Sequence, residues 1–184
     1  MKKVFLIHGF EGTPNGGWRP YLMSELAKDE ICVFSLLMPN PNQPKQSAWL
    51  KELHKYIKKN IEDEIVLVGH SLGGTTILRY LEKHNPKNII GSVIVSASCR
   101  LNKNKKISGF LDKKFEWLKI KERAGKIFVI HGDDDSLVPL VEGEEISSNL
   151  GGELIVIPNG KHLNGSAGFI TLPEALNAIK NIIN

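Results

Sequence analysis

Six short runs rich in Val, Ile, Leu and Phe punctuate the chain, and helix-like segments lie between them. The runs are Lys3–His8, Ile31–Leu37, Glu64–Gly69, Ile89–Ser96, Lys126–His131 and Glu153–Pro158. Most are nearly continuous in apolar residues. A strand with one wet face alternates apolar and polar positions. Continuous runs therefore predict strands buried on both faces, as in a parallel sheet covered by helices. The spacing predicts helices over Trp18–Lys28, Ser47–Asn60, Leu72–His84, Leu111–Arg123, Pro139–Leu150 and Pro173–Ile183. Pro139 and Pro173 each suit a first helical position, where a missing N–H costs nothing. Strand and helix alternating in this way imply right-handed crossovers and an α/β fold. The expected architecture is a six-stranded parallel, doubly wound sheet with helices on both faces.

No internal repeat and no flexible linker divides the chain, so a single domain spanning 1–184 is expected. That length suits one hydrophobic core. No apolar run approaches the roughly 20 residues of a membrane span. The opening MKKVFLIHGF reads as a first strand rather than an export signal. A cytoplasmic protein without a membrane partner is expected. Cys32 and Cys99 each fall in or just after an apolar run and are expected as reduced thiols in or near the core. Neither belongs to a zinc-like ligand spacing.

Net charge is +4, unevenly distributed. Arg100–Lys126 carries ten basic and three acidic residues, a local +7. Such a segment can attract anionic substrates or nucleic acid, or it can be a solvated connection. No nucleic-acid motif accompanies it, so a nucleic-acid partner is not expected.

The chemistry concentrates at VLVGHSLGGTT, where an apolar run passes through Gly69-His70-Ser71-Leu72-Gly73 into a helical pattern. G-x-S-x-G between strand and helix is the context of a nucleophile elbow. The tight turn leaves no room for side chains two positions either side of the serine. It also presents the hydroxyl at a helix N-terminus, which favours developing negative charge. A serine N-cap flanked by turn glycines is the competing reading.

A serine nucleophile needs a base, and the base needs an orienting carboxylate. Of six histidines, His54 and His84 are expected on helix surfaces. His8 and His131 end strands, and His70 is too close to the serine to turn back on it. His162 remains, in a loop after the last strand. The acid lies in VIHGDDDSLVPL, among Asp133, Asp134 and Asp135. Three adjacent aspartates diverge, and no distant cluster completes a coordination shell, so no metal is expected. Two of the three are expected in turn chemistry and in capping the Pro139 helix. Serine, acid, histidine is the chain order of α/β-hydrolases. The oxyanion donors expected are the backbone N–H groups of Leu72 and of Phe10, in the glycine-rich loop after the first strand. That loop does not give G-x-G-x-x-G, so no nucleotide cofactor is expected.

In order, FLIHGF with NGGWRPYL, MPNPNQP followed by Trp49, VGHSLGG, FEWLKIK, GDDDSLVP and GKHLNGSAGF run the length of the chain. They resemble the small serine hydrolases of the α/β-hydrolase superfamily, the group of the retinoblastoma-binding serine hydrolase and the bacterial YdeN-like proteins. The resemblance implies a minimal hydrolase fold without the first two strands of larger members. It assigns nucleophile to Ser71 and base to His162. The G-x-x-D-x-x-V-P pattern selects Asp135 as the acid, which spacing alone does not. Trp49 and Trp117 match aromatic positions of the family and, with His8, are candidates to line the pocket; buried packing is the competing role for the tryptophans.

Larger hydrolases carry a lid between the fourth and fifth strands of this core. Here Ser98–Gly125 is under thirty residues and is expected to be mostly one helix, leaving an open site without a large lid. The expected activity is a carboxylesterase-like hydrolysis of small acyl esters through an acyl-enzyme. Alternatives are a thioesterase or acyltransferase using the same residues, and an interaction module with a protein partner on a hydrolase scaffold.

Overall fold

In the computed structural model, which describes residues 1–101 and 104–184, the six apolar runs form strands β1 (Lys2–Ile7), β2 (Cys32–Leu36), β3 (Glu64–His70), β4 (Ile89–Val95), β5 (Lys126–Gly132) and β6 (Glu153–Ile157). They make one sheet in the order β2-β1-β3-β4-β5-β6, and every neighbouring pair is parallel. Among the described residues six α-helices alternate with them: α1 (Arg19–Ala27), α2 (Gln46–Lys59), α3 (Leu72–Lys83), α4 (Trp117–Lys121), α5 (Leu140–Leu150) and α6 (Pro173–Ile183).

The continuous apolar runs are explained by two separate cores. In β1, Phe5 and Ile7 pack into one, while Val4 and Leu6 pack into the other. In β3, Ile65 and Leu67 divide from Val66 and Val68 in the same way. The first core takes its helical contributions from α2, α3, α4 and α5, and the second from α1 and α6. Burying both faces of a strand removes the alternation that a half-wet sheet would show. The edge strands β2 and β6 are only partly buried. Chain winding reverses between β1 and β3. The loops leaving their carboxyl ends diverge there, opening the crevice in which ligands of such sheets bind. No helix among the described residues is long and apolar enough to cross a membrane.

Three expectations are corrected. The helix expected over Leu111–Arg123 is only the five residues of α4, preceded by a 3-10 turn at Ser108–Phe110. Its missing first half has a cause. The nearly buried Arg79 of α3 collects the carbonyl oxygens of Phe110, Lys113 and Lys114, and its guanidinium lies 3.6 Å from the centre of the Phe115 ring. Carbonyls so occupied point at a side chain instead of along a helix. Pro139 sits one residue before α5, with ψ 143, rather than inside its first turn. Cys32 is exposed at the start of edge strand β2, whereas Cys99 is buried, and burial pushes its thiol well up. The segment after β4 also lines the cleft described below, through Asn104, Ile107 and Leu111. Lys103 of the basic segment lies outside the described residues.

Candidate active site

β3 ends at His70 and α3 begins at Leu72, so Ser71 alone makes the turn. Its backbone is held at φ 53, ψ −121, where non-glycine residues are rarely found. The N–H of Ser71 donates to the Val95 carbonyl of β4 at 2.8 Å, which anchors the strained residue to the sheet. A Cβ on Gly69 would stand 2.5 Å from the backbone nitrogen of Gly74, and one on Gly73 would stand 2.2 Å from the carbonyl oxygen of Ile7. Both glycines are therefore steric requirements of the turn. Ser71 occupies the N-cap position of α3, but its hydroxyl caps no helix N–H. That hydroxyl lies 3.0 Å from Nε2 of His162.

The other ring nitrogen of His162, Nδ1, lies 2.7 Å from Oδ2 of Asp135. Nδ1–H donates to the carboxylate, which leaves Nε2 free to accept from the serine hydroxyl. The Asp135 side chain is wholly buried, and burial alone would raise its pKa. The hydrogen bond from His162 and the N–H groups of Val138 and Leu137 outweigh burial and hold it below its ordinary value. Ser71, Asp135 and His162 come from the loops after three different strands, β3, β5 and β6, and meet at one end of the sheet.

The loop carrying His162 is itself strained. Asn159, Lys161 and Leu163 all have positive φ, at 52, 48 and 47. Four side chains tether it. Asp133 accepts from the Asn159 N–H at 2.8 Å and Asp134 from the Lys161 N–H at 2.6 Å. Nε2–H of His70 donates to the carbonyl of His162 at 2.9 Å, and the Trp18 indole N–H donates to that of Leu163 at 2.8 Å. Burial, together with the neighbouring His162, pushes the pKa of His70 down to about 3, so its ring stays neutral and keeps this single-donor role. Asp133 and Asp134 do not cap α5, which has no side-chain cap; they reach across to the histidine loop.

A cleft of about 660 Å³ opens over Ser71 and His162. Phe10 and Leu72 line it, and among the described residues neither backbone N–H donates to a protein acceptor. A Cβ on Gly9 would lie 3.0 Å from that of Ser71, so the glycine lets the chain before Phe10 close on the serine. Two unpaired backbone donors in residues lining the cleft beside such a hydroxyl are candidates to stabilise an oxyanion formed by its attack.

His8, Trp49 and Trp117 are not in the cleft wall. His8 and Trp49 are fully buried, pack edge to face at 5.5 Å and satisfy backbone groups: His8 accepts from the Met38 N–H, and the Trp49 indole donates to the Pro39 carbonyl. Trp117 stacks on Phe115 at a separate surface depression. Among the described residues, no group of three or more His, Cys, Asp or Glu side chains is placed to hold a metal ion.

Residues 4–181 match the family described as serine hydrolase. The chain belongs to the serine hydrolase family. YdeN of Bacillus subtilis (strain 168) is 32% identical to it over 174 residues, 94% of this chain and 91% of YdeN. The crystal structure of the B. subtilis ydeN gene product superposes with a TM-score of 0.91, at 30% identity, covering 100% of this chain and 99% of that one. The serine hydrolase RBBP9 of Rattus norvegicus is 26% identical over 171 residues, 89% of this chain and 88% of RBBP9. The esterase RhEst1 from Rhodococcus sp. ECU1013 shares the fold at a TM-score of 0.77 and 14% identity, covering 99% and 90% of the two chains. Membership makes this chain a hydrolytic enzyme with the α/β-hydrolase architecture. The candidate site also contains Trp18 and Arg19, which the sequence reading passed over, and His70, Asp133 and Asp134 in a tethering role it did not assign. The Asp-Asp-Asp run was the one visible sign of the tethers, since it offers more carboxylates than one imidazole can use.

Proposed function

We propose that this serine hydrolase cleaves small acyl esters by acyl transfer to Ser71 and then to water. The observation that carries the proposal is the unbroken relay from hydroxyl to imidazole to buried carboxylate, at 3.0 and 2.7 Å. In the first half-reaction the Ser71 oxygen bonds to the ester carbonyl carbon while its proton passes to His162 Nε2. The carbonyl oxygen takes the negative charge, held by the N–H groups of Leu72 and Phe10. Collapse breaks the bond to the alkoxy oxygen, which leaves with the proton from Nε2 as an alcohol. Water repeats the sequence on the acyl-enzyme and frees the acid. Asp135 keeps Nδ1 protonated throughout and stabilises the imidazolium. Likeness of fold to the esterase RhEst1 is in keeping with this chemistry. The interaction-module alternative has no need of aligned hydrogen bonds at a strained serine, and the alignment favours turnover.

The test is hydrolysis of p-nitrophenyl esters of increasing chain length by the wild type and Ser71→Ala. The wild type should turn over acetate and butyrate esters, and Ser71→Ala should lose about 10⁴-fold or more while keeping its circular dichroism and melting temperature. A fluorophosphonate probe should label the wild type at Ser71 alone. Unchanged esterase activity in Ser71→Ala refutes the assignment, and a preference for long-chain esters refutes the substrate size.

A further inference from the structure

Arg19 stands in the wall of the same cleft as Ser71, yet its side chain is nearly out of contact with solvent, at 5% exposure. Among the described residues no carboxylate lies within ion-pair distance of it. Only its Nε is used, donating to the Thr13 carbonyl at 3.1 Å. The two terminal nitrogens have no protein acceptor among the described residues. The guanidinium rests against the Trp18 ring, 5.6 Å from its centre, and Trp18 in turn packs edge-on against His70, the residue before Ser71. Gly16 makes the space it occupies: a Cβ there would stand 2.8 Å from Nη2. The helix beginning at Arg19 has no side-chain cap, so its N-terminal dipole adds to the same positive field. Glu11, also in the cleft wall, is exposed and lies 3.9 Å from Lys106, which balances its charge.

A buried cation without a partner is costly, and proteins seldom keep one except where something else supplies the opposite charge. Burial pushes the Arg19 pKa down to about 10, and the group still remains a cation at neutral pH. Among the described residues the protein holds only Nε, and Nη1 and Nη2 reach the water of the cleft, which a ligand can displace. A planar fork with both terminal nitrogens unused and turned to a reaction cleft matches a carboxylate.

We infer that Arg19 is a specificity residue that binds a carboxylate carried by the substrate, so that the preferred substrates are esters with a free carboxylate near the scissile bond. The inference rests on the hydrolase reading above and names the substrate class for that same site.

Two matched ester pairs test it. In the acyl pair, p-nitrophenyl pentanoate is compared with the mono-p-nitrophenyl ester of glutaric acid. In the leaving-group pair, 4-carbamoylphenyl pentanoate is compared with 4-carboxyphenyl pentanoate. The wild type should favour the anionic member of at least one pair by about tenfold or more in kcat/KM, the scale of one charge-assisted contact. Added sodium chloride should shrink that preference, and free glutarate should inhibit competitively, more strongly than inorganic phosphate at equal concentration. In Arg19→Gln the anionic-to-neutral ratio should collapse toward unity whatever happens to the neutral rate, because loss of packing alone lowers both members together. The inference is overturned if the wild type shows no anionic preference in either pair, or if Arg19→Gln keeps the preference. Should Arg19→Gln fail to fold, the wild-type pairs decide alone. A wild type that cleaves no ester overturns the hydrolase reading and this inference with it; cleavage of neutral esters without anionic preference overturns this inference only.

Discussion

The double substitution Asp133→Ala with Asp134→Ala should lower activity although neither carboxylate touches Ser71, His162 or the cleft. These side chains accept the N–H groups of Asn159 and Lys161, and those residues hold positive φ on the approach to His162. Both aspartates are exposed, so water competes for the same donors, and each bond is assigned the low end of its range, about 1 kcal/mol. Removing both therefore weakens the ordered loop by about 2 kcal/mol. If that loop is ordered by only about 1 kcal/mol in the wild type, its productive fraction falls from about five-sixths to about one-sixth, a fivefold loss. If the wild-type loop is ordered only half the time, the loss rises to about fifteenfold. The assay is kcat/KM on p-nitrophenyl butyrate, with Asp133→Asn/Asp134→Asn as the control. The amide oxygens still accept both N–H groups, so that control should stay within about threefold of the wild type. Loss of less than about twofold in the alanine variant would show that His70 and Trp18 hold the loop by themselves. Loss on the scale of Ser71→Ala would show that the aspartates act directly in the chemistry.

The remaining predictions concern stability. Gly73→Ala places a methyl 2.2 Å from a backbone carbonyl in β1 that has nowhere to move, so the variant should be insoluble or destabilised by more than about 3 kcal/mol in urea titration. A wild-type melting curve for Gly73→Ala would contradict the steric account of the turn. Acidification from pH 7 to pH 4 should lower the melting temperature through His70. Its folded pKa, about 3, lies below the ordinary imidazole value of about 6.5, so the unfolded chain binds the extra proton. The stability tied to neutral His70 is complete above about 6.5 and is lost as pH falls below it. Asp135, held below its ordinary value, loses its contribution in the same direction but at lower pH, below the ordinary carboxylate range. His70→Gln should melt lower than the wild type at pH 7 yet show a shallower slope from pH 7 to pH 4. Equal slopes in calorimetry would remove His70 as the cause.

The sheet was legible because both of its faces are buried. Val66–Val68 and Ile127–Ile130 are apolar whichever way each side chain points, so the strands announce themselves without any register to guess. Where a boundary depends on a distant side chain, local spacing misleads. The stretch Leu111–Glu116 carries a helical pattern, but Arg79, more than thirty residues upstream, takes its carbonyl groups. Cys32 was misplaced for a related reason. Its neighbours are apolar, and only the strand order, which puts β2 at the edge, decides that its position is exposed.

The same contrast runs through the site. Gly69-x-Ser71-x-Gly73 could be read because its constraints are local: each glycine is dictated by backbone atoms that the turn itself brings close. Tethering of the histidine loop depends on contacts between segments far apart in the chain, such as Trp18 with Leu163. Nothing in the helical pattern Trp18–Lys28 marks Arg19, whose burial without a counter-charge belongs to the cleft and to no stretch of sequence. The local features are those that the reaction itself demands, a strained serine and its flanking glycines, and any ester hydrolase of this fold needs them. Features set by distant contacts are free to vary with the substrate. On the proposal above, choice of substrate would rest on Arg19 in the cleft wall, a cation with no carboxylate partner among the described residues, which would change which esters are held long enough to react.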